Sequence, residues 1–347
     1  MTDHEPFQRE PQNPQDPQIV VFSPELLKLA DRRRQALEDC RQAAEDGDAN
    51  AVVQMGMNCL YGIGGAAKDP EKAFRWFSQT APDDPAGLYW LGVCYDNGFG
   101  VERDEDRACR LYQESAAGDY APALCNLGVC YESGQGVEKN LEKAVELYRR
   151  AAEGGYPMGR CNLGVMYFFG QGVEKDLKKA AYCFAQAAEQ RLPRAQYLLG
   201  VCYETGDGVE KKPRYAAYMY HRAALQGHPE AMLRLGICYE TGVGTEKDPA
   251  IAANLYRQAA EQGSDLARCR LGRLYERGLG VERDLRRAEE LYEAGTRAGV
   301  SGAKEALGRV RAALAAPPEP QPEDKPVDKK SPLRRLLDRL KGPKSEE

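Results

Sequence analysis

Histidine is scarce: His4, His221 and His228 are the only three in 347 residues. No His-x3-His or His-Glu-x2-His pair can be drawn from them, so the usual helical metal-ligand spacing is missing. Long apolar runs are missing too. No stretch reaches the roughly 18 apolar residues that a membrane-spanning helix needs. A basic excess is absent as well. The net charge is -5, and the 29% charged residues have both signs interspersed, whereas a nucleic-acid partner calls for a basic face. The first residues, MTDHEPFQREPQNPQDPQ, lack the charged start and apolar stretch of a secretory signal. These absences point to a cytoplasmic protein with no metal, no cofactor and no nucleic-acid partner.

Cysteine is plentiful, with 11 residues. An odd number without an export signal reads as reduced thiols. Most lie in apolar helical patterns, where cysteine acts as a small hydrophobe. Cys125 and Cys130 are five apart and share no helical face, which argues against a metal pair.

Glycine supplies the main signal. Gly56, Gly92, Gly128, Gly164, Gly200, Gly236, Gly272 and Gly308 are evenly spaced, and 128 − 92 gives a period of 36. Leu91, Leu127, Leu163, Leu199, Leu235, Leu271 and Leu307 precede them, with Met55 in the first copy. Three positions later stand Tyr95, Tyr131, Tyr167, Tyr203, Tyr239 and Tyr275, and five positions earlier an Ala or Gly. Ala, Leu and Tyr four apart form one helical face. A glycine within a helix costs about 1 kcal/mol relative to alanine, so close approach of a neighbouring helix is the expected reason for the column.

This first helix stops at Gly-x-Gly-Val, as in Gly98 and Gly100, Gly134 and Gly136, Gly170 and Gly172, Gly206 and Gly208, and Gly278 and Gly280. The first glycine of each pair suits a left-handed C-cap. Asp104, Asn140, Asp176, Asp248 and Asp284 are placed to N-cap a second helix. Lys212 breaks that rule, although Pro213 keeps the start signal. The second helix carries Ala144, Tyr148, Ala151 and Ala152, a stripe repeated at Ala180, Phe184, Ala187 and Ala188. In the first copy Ala73 and Phe77 come one residue late. Helices this short are marginal alone, and their stripes are buried only by stacking on the next unit. The expectation is an all-α solenoid of helix-turn-helix repeats. Residues 1–21 form a disordered arm, 22–48 an N-terminal capping helix and 49–302 seven repeats. Residues 303–316 form a C-terminal capping helix, 317–332 a flexible linker rich in proline and charge, and 333–342 a short basic amphipathic segment.

With Ala123, Gly128, Tyr131, Gly134, Gly136, Val137, Ala144, Tyr148, Ala151 and Ala152 in these positions, the chain resembles the Sel-1-like repeat family, a relative of the tetratricopeptide repeat. The resemblance implies a right-handed α/α superhelix whose concave face is lined by the first helices. It also implies a role as an interaction scaffold or adaptor, as in signalling, protein quality control or bacterial host interaction.

On that reading the groove uses positions three before, one after and four after each core glycine. These are Tyr89, Val93 and Asp96; Cys125, Val129 and Glu132; Cys161, Val165 and Phe168; Tyr197, Val201 and Glu204; Leu233, Ile237 and Glu240; and Cys269, Arg273 and Glu276. An apolar row beside an acidic row suits a partner protein or peptide that is basic and amphipathic. The other reading is that the valines pack on the neighbouring repeat and the glutamates are solvated. Phe168 and Phe169 interrupt the acidic row and read either as an interface anchor or as core.

An enzyme is the reading from another class. A secreted cysteine-rich branch of the family is linked to β-lactam hydrolysis and pairs its cysteines regularly. Here Ala152, Ala188 and Ala224 stand in the corresponding column. Ser301 and Lys304 have the Ser-x-x-Lys spacing of serine β-lactamases but lack the companion motifs. No catalysis is expected. In the tail, Leu333, Leu336, Leu337 and Leu340 share a face among Arg334, Arg335, Arg339 and Lys341. That segment could fold on a partner, on an anionic membrane surface or back onto the groove, or serve only as a solubilising tail.

Overall fold

The computed structural model describes residues 24–316, so the expected arm 1–21, the linker 317–332 and the basic segment 333–342 lie outside the described residues. Among the described residues there are sixteen α-helices and no strand. In chain order they are α1 (Pro24–Glu45), α2 (Ala49–Tyr61), α3 (Pro70–Phe77), α4 (Pro85–Asn97), α5 (Glu105–Ala117), α6 (Ala121–Ser133), α7 (Leu141–Glu153) and α8 (Pro157–Phe169). Then follow α9 (Leu177–Glu189), α10 (Pro193–Thr205), α11 (Pro213–Ala224), α12 (Pro229–Thr241), α13 (Pro249–Glu261), α14 (Asp265–Arg277), α15 (Leu285–Arg297) and α16 (Ala303–Ala315). The fold is a solenoid of helix-turn-helix repeats. It divides into two compact units between Lys247 and Asp248, the first holding α1–α12 and the second α13–α16.

Local chemistry sets each boundary. Asn140 is extended, accepts the Lys143 N–H on its side chain at 2.9 Å, and donates its own N–H to Tyr131 O at 2.8 Å. Asp104, Asp176, Asp248 and Asp284 also cap their helices through the side chain, while Lys212 makes no side-chain cap. Each such cap is worth about 1 kcal/mol. At the other end of the loop, Gly134 has φ 82° and donates to Cys130 O at 2.8 Å, a left-handed C-cap that a side chain would strain.

The core lies where the two helices of a repeat meet. Tyr112, Tyr148, Phe184 and Tyr220 are sealed from solvent, and burying one such ring contributes roughly 2–3 kcal/mol. These rings explain the core-glycine column. A Cβ at Gly128 would stand 2.6 Å from Tyr148 Cε1. Gly92, Gly164 and Gly200 would meet Tyr112, Phe184 and Tyr220 at 2.6–2.7 Å. The neighbouring helix does approach closely, chiefly through its ring: a Cβ at Gly200 would lie 2.6 Å from Tyr220 Cε1 and 3.3 Å from the carbonyl of Ala216, both on α11. Gly308 meets nothing within 4 Å, so packing does not demand a glycine in α16.

The second loop glycine joins consecutive repeats. A Cβ at Gly136 would lie 2.7 Å from Glu105 O and 2.8 Å from Cys109 Cβ, at the start of the preceding repeat's second helix. Gly172 and Gly208 press on Leu141 and Leu177 in the same way. Nine of the eleven thiols are buried and none is in a disulfide. Burial pushes Cys94 and Cys125 up to about 12, which keeps them protonated as core residues.

Candidate partner-binding surface

The predicted acidic row is tied to the core. Tyr112 donates its hydroxyl to Asp96 at 3.3 Å, Tyr148 to Glu132 at 2.5 Å and Tyr292 to Glu276 at 2.8 Å. Tyr220 donates likewise to Glu204. Each tyrosine follows its carboxylate by 16 residues and reaches it from the second helix of the same repeat. Burial, and then the neighbouring carboxylate, push all four hydroxyls well above the ordinary tyrosine value, so they remain donors. A buried tyrosine hydroxyl needs such an acceptor.

The break in the row has the same origin. Where the sequence places Phe184 instead of tyrosine, it places Phe168 instead of the acid. The first copy pairs Leu60 with Phe77. A ring without a hydroxyl offers a carboxylate nothing, and an apolar side chain packs there instead. Phe168 lies half-buried against the cluster containing Phe184, with the Phe169 ring edge-on at 5.1 Å.

Arginines oppose part of the row. Arg234 Nη1 is 3.4 Å from Glu204 Oε1, and Arg309 Nε is 3.5 Å from Glu276 Oε1. Between α6, α8 and α10, Arg194 donates to Asn162 Oδ1 at 3.0 Å, and Asn162 donates to Cys125 Sγ at 3.6 Å. Glu240 and Arg273 are half-buried and engaged.

The apolar row divides. Val93, Cys125, Cys161 and Leu233 are buried and offer nothing to a ligand, which corrects their assignment to a groove. Helix α6, which carries Cys125, packs against α8, which carries Cys161, and Val93 belongs to the core cluster that includes Tyr112 and Leu124. Val165, Val201, Ile237 and Cys269 are half-buried. Tyr89 lies among the rings of Trp90, Tyr112 and Tyr120, and Tyr197 stacks on His228 with centroids 5.0 Å apart. Val129 and Phe169 are exposed, Phe169 at 63%.

Sequence reasoning missed the tyrosine partners, although the signal was present as two columns 16 residues apart that change together. It also passed over the exposed Tyr182, Tyr215 and Tyr218 on the second helices.

The Sel1 repeat family model matches residues 49–81, 85–120, 121–156, 157–192, 193–228, 229–264 and 265–300. The chain belongs to the Sel1 repeat family. Sel1 repeats build solenoids that typically serve as protein-interaction scaffolds. Among solved structures, this Sel1 repeat chain is similar to c5321, a protective antigen of uropathogenic Escherichia coli displaying an SLR fold. The two are 33% identical with a TM-score of 0.65, over 79% of this chain and 59% of that one. A Sel1 repeat protein from Oxalobacter formigenes is 30% identical, with a TM-score of 0.60 and 81% of each chain covered. DAP3-binding cell death enhancer 1 of Rattus norvegicus is 33% identical over 96 residues, which is 26% of this chain and 18% of that protein. The chain thus spans less than a fifth of this curated relative. No helix among the described residues is long and apolar enough to cross a membrane.

Proposed function

We propose that this Sel1 repeat solenoid holds a partner protein by a helical or extended segment laid on the first-helix face, with Phe169 as the apolar anchor. The carrying observation is a phenylalanine 63% exposed at the end of α8, in the copy whose carboxylate–tyrosine pair is replaced by two rings. Large aromatics that are already ordered by a neighbouring ring make efficient anchors, because little side-chain freedom is lost on binding. Glu132, from the copy before, suits a basic residue flanking an apolar one, while Glu204, from the copy after, is already opposed by Arg234. Val129, Val165 and Val201 extend the apolar contact, and Tyr89, Tyr197 and Ile237 add its half-buried margin.

The test compares proteins captured by the full chain with those captured by Phe169→Asp. A control, Leu225→Asp, makes the same chemical change at another exposed site. A captured protein that survives the control and is lost with Phe169→Asp supports the reading. Identical capture by all three baits overturns it.

A further inference from the structure

The first joint of the stack differs from the others. In later repeats the loop between helices brings in a valine: Val101, Val137 and Val173 pack on one core cluster and Val209 on the next. The first loop is one residue longer and reads Gly62-Ile63-Gly64-Gly65-Ala66-Ala67, with no valine to insert. It also stands farther off. A Cβ at Gly64, the counterpart of Gly136, would meet Asn58 of α2 at 3.2 Å, and one at the following Gly65 would lie 3.8 Å from Arg33 O of α1, whereas one at Gly136 would lie 2.7 Å from Glu105 O of the preceding repeat.

A cavity of about 550 Å³ opens there, between α1, α2, α3 and this loop. Its floor includes Leu37, Met55 and the half-buried Trp76. Three cations, Arg41, Lys72 and Arg75, line it against a single acid, Glu45. Arg41 is held by Glu38 at 2.6 Å and by Glu45 at 3.7 Å, and Lys72 by Asp69 at 3.5 Å. Arg75 forms no salt bridge within 4 Å among the described residues, although its charge reaches Asp69 at longer range. The volume is that of a small-molecule site, where an apolar floor supplies contact area and a few polar groups fix orientation.

We infer that this cavity binds a small amphipathic anion: a flat ring or short alkyl chain seated on Trp76 and Met55, with a carboxylate or sulfonate facing Arg75. The apolar floor alone would accept any greasy molecule. With Arg41 and Lys72 already held by carboxylates, the Arg75 guanidinium is the group that selects an anion, and arginine offers a planar fork that matches carboxylate geometry. The site is separate from the first-helix face around Phe169, so either assignment can fail without the other.

The test uses 8-anilinonaphthalene-1-sulfonate with the full chain, followed by its fluorescence, with octanoate and octanol as competitors. Saturable binding at one site is expected, displaced by octanoate at concentrations where octanol has no effect. Ala66→Leu, which fills the cavity, should weaken binding at least tenfold without lowering the melting temperature. Arg75→Glu, a change at an exposed side chain, should weaken it at least fivefold and keeps the test open if Ala66→Leu folds poorly. Binding left unchanged by Arg75→Glu, or by a well-folded Ala66→Leu, overturns the assignment, as does equal displacement by octanol.

Discussion

Tyr148 and Glu132 form a unit, and removing one member should cost more than removing both. Tyr148→Phe leaves a half-buried carboxylate without its donor, a loss of about 1–3 kcal/mol. Adding Glu132→Phe recreates the combination that the chain already uses at Phe168 and Phe184. The double variant should regain most of the loss, giving a coupling energy of about 1–2 kcal/mol in a double-mutant cycle of urea melts. Additive losses would show that the hydroxyl and carboxylate do not depend on each other. The acidic residues were visible in the sequence as a row, yet their reason was not. Periodicity shows which positions face the same way, while pairing between helices depends on reach across the repeat. Reading the Tyr/Phe column beside the Glu/Phe column would have exposed the pair. The sequence left two readings open for this apolar row, groove or packing on the next repeat, because a groove position and a joint position share one spacing; Val93, Cys125, Cys161 and Leu233 are buried.

Among the helices, one glycine column contains two physical situations, and substitution should separate them. At Gly200 the ring of Tyr220 fills the space, so Gly200→Ala must displace a buried ring, and overpacking costs about 1–3 kcal/mol. At Gly308 no atom lies within 4 Å, so Gly308→Ala should gain up to about 1 kcal/mol of helix propensity. Thermal melts should therefore move in opposite directions for the same substitution 108 residues apart (308 − 200). A shift of the same sign at both sites would remove the ring as the cause of the column. Helix starts and stops were legible because their determinants are local: a capping oxygen, a proline, a left-handed glycine. The extra residue of the first loop was legible as well. Its consequence, a joint that stands off α1, was not, since it depends on what Val101 and Val137 do elsewhere.

Over the whole molecule, the period of 36 residues gave the solenoid outright, because every copy repeats the same contacts and so reinforces one solution. Nothing in that period marks the division between Lys247 and Asp248. The acidic row also changes meaning at this scale. Taken from the sequence, Asp96, Glu132, Glu204, Glu240 and Glu276 suggest a strip of charge that steers a basic partner. In the fold Glu204 faces Arg234 and Glu276 faces Arg309, so part of the field is cancelled before a partner arrives. Long-range attraction between exposed charges is screened within about 8 Å at physiological ionic strength, and a partly neutralised row has less to offer beyond that distance. Complex lifetime should instead rest on the desolvated aromatic contact at Phe169. With the partner identified by capture, the association rate should change by less than about threefold between low and high salt, well below the range seen under strong steering. Phe169→Ala should raise the dissociation rate about tenfold, equivalent to roughly 1.4 kcal/mol. Surface plasmon resonance across a salt series measures both. A steep salt dependence with an unchanged dissociation rate would mean that charge, rather than the paired rings of α8, governs recognition.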